Sequence, residues 1–161
     1  MPEADMHRSA VSRRAALTAH PALRSTEGAH VTAAMQSFIA LDFGTRRTGV
    51  AYGTRLLGQA RPLPTIDTRE AQQRLDRVAK QIAQWQPQAL VVGIPLHPDG
   101  AEHANTLLAR KFARVLRGRF GLPVFEVDER YSTTEALLDG APDPDAGAAC
   151  IILEQFLRSL P

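Results

Sequence analysis

The 161-residue chain has a single cysteine, Cys150, which excludes an intramolecular disulfide and any cysteine-rich zinc site. Cys150 sits in an apolar helical stretch where burial is the default, and such cysteine use fits a reducing, cytoplasmic setting. No apolar run approaches the ~18 residues needed to span a bilayer, so no membrane partner is expected. Charge of one sign is also lacking: 19 Lys and Arg stand against 17 Asp and Glu, for a formal +2. With a pI near 9.1 this favours nucleic acid only weakly, and the argument passes to where the arginines cluster. What is present is ordinary for a folded domain, 44% hydrophobic and 22% charged residues, with length for one proper core and too little for two.

Residues 1–34 show no sustained hydrophobic period and read as a disordered tail. A secretory signal is not expected there, because Ser12, Arg13 and Arg14 interrupt the Ala10 to Leu17 stretch. Glu3, Asp5 and Glu27 count against a transit peptide. Met35, just before the first strand, is a candidate start of translation, which puts the folded domain at residues 35–161.

From Ser37 the elements follow closely. Phe38 to Leu41 reads as a buried strand, Gly44 to Arg47 as a turn, and Thr48, Val50 and Tyr52 share one face of a returning strand. Gly58 to Pro64 suits an edge strand, since Pro62 and Pro64 cannot donate to a ladder. A helix follows from about Asp67 to Trp85 with Leu75, Val78 and Ile82 at helical spacing, and Pro87 ends it. Ala89 to Gly93 is a short all-apolar strand of the kind buried on both faces, with Gly93, Pro95 and Gly100 shaping the loop beyond it. A second helix runs through Leu107, Phe112 and Leu116, then comes a strand over Pro123 to Val127. The last helix opens with Asp143 as N-cap and Pro144 at its first position. Hairpin strands followed by alternating helix and strand predict a five-stranded mixed sheet with helices on both faces, an α/β fold.

In such sheets chemistry gathers where strand ends meet loops. The polar residues leaving those ends are acids: Asp42 after the first strand, Asp128 and Glu129 after the fifth, and Asp145 in the first turn of the last helix. Converging carboxylates repel unless cations lie between them, and hard oxygen donors with few nitrogens select Mg²⁺ or Mn²⁺. Two such ions, roughly 4 Å apart, activate water and stabilise the leaving oxygen of a phosphodiester. Each acid also has a plainer reading: a turn cap for Asp42, surface pairing with Arg130 for Asp128 and Glu129, and macrodipole stabilisation for Asp145.

Four motifs in order, LDFGTRRTGVA, VVGIPLHPDG, VDERYSTTEA and DAGAACIILEQFL, closely resemble the YqgF or RuvX family of RuvC-like pre-16S rRNA nucleases over Ser37 to Leu160. The resemblance implies a ribonuclease H-like fold and a metal-dependent nuclease that matures the 5′ end of 16S ribosomal RNA. Holliday-junction resolution on branched DNA is the older assignment. The family's acidic positions fall on Asp42, the Asp128 and Glu129 pair, and Asp145, with Asp42, Asp145 and one of the pair, Glu129 or Asp128, as metal ligands. The chain departs from the family in its tail and in a short Leu137 to Pro144 loop whose charges, Asp139 and Asp143, are acids.

Structured RNA or branched DNA, and ribosome precursor particles, are the implied partners. Arg46, Arg47 and Arg130 flank the acidic mouth as phosphate contacts, while Arg110 and Arg114 stand on a helical stripe that also suits a solvated face. A non-catalytic nucleic-acid-binding factor is the competing class, separable by metal binding. A sugar-kinase-like ATPase fails on size, because that fold encloses its nucleotide between two such domains.

Overall fold

The computed structural model describes residues 31–129 and 143–161. Among them the chain runs β1 (Ser37–Asp42), β2 (Arg47–Thr54), β3 (Ala60–Asp67), α1 (Ala71–Trp85), β4 (Ala89–Pro95), α2 (Ala104–Phe120), β5 (Val124–Glu129) and α3 (Pro144–Ser159). The five strands form one sheet in the order β3-β2-β1-β4-β5. β1 pairs antiparallel with β2 and parallel with β4, and β4 pairs parallel with β5, so the sheet is mixed as expected.

Strand alternation sorts the side chains into two layers. Phe38, Ala40, Val91 and Phe125 meet Ala149, Ile152 and Phe156 of α3 on one face. Ile39, Leu41, Leu90 and Val92 meet Val78 of α1 and Phe112 and Leu116 of α2 on the other. Central β1 and β4 are therefore apolar at nearly every position, and Phe156 packs edge-on to Phe38 and stacks on Phe125 at ring separations of 5.2 and 5.7 Å.

Local chemistry sets the boundaries. Pro62 and Pro64 lie in β3, a sheet edge paired only with β2. Gln86 adopts a left-handed cap (φ 49°), its N–H returning to Ile82, before Pro87 ends α1. Gly121 (φ 66°) closes α2 in the same way. Asp143 caps α3, its carboxylate accepting from the Ala146 N–H at 3.1 Å, with Pro144 next.

One expectation needs correction. Pro95 belongs to β4 and not to the loop after it, because β5 pairs alongside it through Glu129. His103 caps α2: its imidazole accepts from the Asn105 N–H and its backbone N–H donates to Thr106 Oγ1. Val31 is fully buried against the α3 layer.

Candidate active site

β1 delivers Asp42 at its C-terminal end. The residue alternates with Phe38 and Ala40, so its carboxylate lies on the α3 face. Opposite Asp42 in the β1–β2 register stands Gly49. A Cβ on Gly49 would lie 1.9 Å from the Asp145 carbonyl oxygen, so only glycine lets the first turn of α3 rest on β2 there. The β2–β3 register slips at that point, between Thr48 and Val50. Thr65, on the slipped stretch of β3, donates its hydroxyl to Asp143 at 2.8 Å. Burial raises the Asp143 carboxyl, but hydrogen bonds from Thr65 and from the Ala146 and Asp145 N–H groups outweigh it and hold the group below the usual carboxylate range. Glycine contact and capping clamp together seat Asp145 beside Asp42.

Glu129 arrives from β5. Its register partner is Pro95, and its carboxylate reaches back over Gly93, where a Cβ would come 2.6 Å from Oε2 and 2.6 Å from Ile152 Cδ1. The missing side chain at Gly93 is the space that Glu129 fills. Asp128 alternates away from this face and is exposed, yet its charge still reaches Glu129.

The electrostatics show which acids feel one another. Asp42 is pushed up to about 6, first by burial and then by the charge of Asp145. Glu129 is pushed up to about 7, first by burial and then by Asp42 and Asp128. Perturbed carboxylates at strand ends are the expected mark of a functional site. Among the described residues no three His, Cys, Asp or Glu side chains are gathered closely enough to hold a metal ion. The donor chemistry nonetheless suits a hard divalent cation: the ligands are carboxylate oxygens, and in two of them burial and neighbouring negative charge work against ionisation, a cost that a cation would offset.

The cations divide into committed and uncommitted groups. Arg46 and Arg47, at the turn after Asp42, are exposed and approach Asp67 at 3.9 and 3.7 Å, pairs that contribute little in water. Arg110 is held by Glu102 at 2.7 Å and Glu126 at 3.8 Å, and Arg117 by Glu126 at 3.1 Å. Arg114 stays exposed between them. Arg130 lies outside the described residues. Arg74, which reads in sequence as an ordinary helix arginine, is buried. It donates to the carbonyls of Thr45 and Thr68 at 2.7 and 2.9 Å and lies over the Phe43 ring, fixing the turn that follows Asp42. Cys150 plays no part, its thiol being pushed up to about 11 by burial and then Glu154.

A five-stranded mixed sheet flanked by helices, with half-buried acids at the ends of its first and last strands and at the start of its last helix, defines a ribonuclease H-like nuclease domain. Residues 36–159 match the RuvX family, described as Holliday junction resolvase, and the chain belongs to that family of phosphodiester hydrolases. A protein of Albidiferax ferrireducens named "Putative pre-16S rRNA nuclease" is 65% identical over 131 residues, covering 81% of this chain and 83% of its own. One of the same name from a Polaromonas species is 63% identical over 132 residues, covering 82% of this chain and 95% of its own. Among solved structures, Thermus thermophilus RuvC in complex with a Holliday junction substrate superposes with a TM-score of 0.52 at 16% identity, covering 77% of this chain and 94% of that one; this shows the shared fold.

Proposed function

We propose that the chain is a divalent-cation-dependent nuclease that cleaves structured precursor RNA at the 5′ end of 16S ribosomal RNA. The observation that carries the reading is the placing of Asp42 and Glu129 on one face of the sheet, Asp42 raised by burial and the charge of Asp145, and Glu129 by burial and the charges of Asp42 and Asp128. The pre-16S rRNA nuclease name of the 65% and 63% identical relatives supports the substrate. Asp42, Asp145 and Glu129 would hold Mg²⁺ or Mn²⁺, which when bound supplies an activated water and stabilises the charge on the leaving oxygen.

The chain's own residues do the rest. Glu129, at about 7, is divided near neutrality between its acid and its carboxylate, so a cation must displace a proton from it and binds more tightly as pH rises. Asp128 adds negative charge behind Glu129, and Arg46, Arg47 and Arg130 would grip phosphates at the mouth. On this reading the protein works in the cytoplasm, with ribosome precursor particles as partners. Branched DNA is the second reading, favoured by the description of the family model.

The test is single-turnover cleavage of a precursor 16S leader RNA and of a four-way DNA junction, in Mn²⁺ and in EDTA. Asp145→Asn should lose cleavage by orders of magnitude while keeping or improving RNA affinity, because a negative charge near phosphate is removed. Preference for the junction would move the substrate to DNA. Full cleavage by Asp145→Asn, or equal cleavage in EDTA, would leave a binding factor with acids kept for structure.

A further inference from the structure

A second feature stands at the same end of β1 on the opposite face of the sheet. Phe43, next to Asp42, packs on the α1 and α2 side with its ring 4.8 Å from Phe112. Beside it a groove of about 170 Å³ opens between α1 and α2, with Phe43, Leu75, Leu108, Phe112 and Val115 as its apolar lining. Leu108 and Val115 keep 38% and 39% of their surface exposed, so α2 presents apolar groups to the groove and not only to the core.

The charged groups that line it are Arg74 and Lys111, both cationic, with no acid among the lining residues. Arg74 is spent on the carbonyls of Thr45 and Thr68. Lys111 is exposed, as is Arg114 almost one turn on, and neither has an acid partner among the described residues. Their neighbours Arg110 and Arg117 are neutralised by Glu102 and Glu126. The groove therefore joins an apolar slot to unneutralised positive charge.

We propose that this groove receives one unpaired nucleobase of the substrate strand, with the adjoining phosphate on Lys111 and Arg114; the proposal rests on the nuclease reading above. An apolar cavity of ~150 Å³ admits one benzene-sized ring, so the slot has room for a single planar heterocycle. A nucleotide supplies both halves of the match, an apolar ring face and an anion attached to it. An uncharged apolar peptide matches the slot and leaves the lysine and arginine unanswered. Because Phe43 follows Asp42 directly, a base seated there belongs to a nucleotide close to the bond presented to the acids. The substrate class narrows accordingly, to RNA with an unpaired base beside the cleavage site and not continuous duplex.

The experiment titrates a short single-stranded RNA carrying one 2-aminopurine against the full chain in EDTA, where fluorescence reports seating of the base. A 4-thiouridine version is cross-linked and mapped. We expect Leu108→Glu and Val115→Asp to weaken affinity about tenfold or more and to abolish the fluorescence change. Lys111→Gln should weaken binding and reduce the log-log salt slope by about 0.7. Leu57→Glu adds the same charge at the exposed β2–β3 tip, at the far end of the sheet, and should change nothing. Cross-links should map to Phe43 or to the 108–115 segment. Both groove positions are more than a third exposed, and melts of the variants verify their folding. Groove variants that are folded and bind RNA as the parent does, while the parent still cleaves precursor RNA, would overturn the base site and leave the nuclease reading standing. A parent chain that neither binds nor cleaves RNA would overturn both. Capture of an acidic amphipathic peptide, lost in Val115→Asp while RNA affinity is untouched, would make the groove a protein-docking site and also refute the proposal.

Discussion

Replacing Asp42 with asparagine tests whether the acid is kept for chemistry at the expense of stability. Its carboxyl titrates at 3.8 when unperturbed and is pushed up to about 6 in the fold. Between those values the native state binds more protons than the unfolded chain, so stability falls as pH rises; the loss is absent below about 3.8 and complete above about 6. Holding the carboxyl at about 6 instead of 3.8 corresponds to roughly 3 kcal/mol at pH 8. Asparagine removes that cost and leaves a partly buried amide, which takes back about 1–2 kcal/mol. The net gain of about 1–2 kcal/mol should raise the melting temperature by roughly 3–8 °C at pH 8 in EDTA, and the gain should vanish near pH 4. Mn²⁺ should then stabilise the parent and not the variant, reversing their order. Calorimetric melts at the two pH values, with and without Mn²⁺, read all of this. An Asp42→Asn protein that melts below the parent at pH 8 in EDTA, or whose difference is independent of pH, would show that Asp42 is a structural residue.

Two further outcomes follow from the same geometry. Gly93→Ala places a methyl group on Glu129 Oε2 and Ile152 Cδ1, and it should cost about 1–3 kcal/mol in urea melts. Cleavage should fall more steeply than stability, with RNA affinity unchanged; an active variant would show that the position of Glu129 is immaterial. Arg46→Ala and Arg47→Ala should each weaken RNA binding and reduce the salt slope by about 0.7–0.9, measured by titration at several salt concentrations, since their pairing with Asp67 is exposed and offers little competition. Unchanged slopes would move the RNA path away from the turn.

The fold was legible where local pattern and tertiary role coincide. The apolar runs of β1 and β4 are buried on both faces, the prolines of β3 lie at an edge, and Asp143 with Pro144 starts α3. The candidate acids Asp42 and Glu129 were legible because they close strands, the ends at which such sheets present polar groups. What escaped depends on partners distant in sequence. Gly93 looks like a turn glycine until β5 brings Glu129 over it, and Gly49 looks like an ordinary hairpin residue until Asp145 descends on it. The arginine stripe of α2 looks uniform, but Glu126 from β5 claims Arg110 and Arg117 and leaves Lys111 and Arg114. Arg74 gives no local signal at all, because its partners are backbone carbonyls of a turn 29 residues earlier and of the connection before α1.

The alternation of one strand explains how the domain separates chemistry from grip. Asp42 and Phe43 are neighbours in sequence, yet the pleat sends the carboxylate toward α3 and the ring toward α2. The α3 face gathers charge that destabilises the apo fold near neutrality, so it must be held rigidly: by the glycine contacts at Gly49 and Gly93 and by the clamp from Thr65 to Asp143. The α2 face presents the exposed cations Lys111 and Arg114 beside apolar surface, and charge left in water carries no such cost. A strand of nucleic acid crossing the end of β1 would touch both faces within one nucleotide. Losses at the acids should therefore appear as rate and losses at the groove as affinity, with the Asp42 and Glu129 titrations unmoved by any substitution on α2.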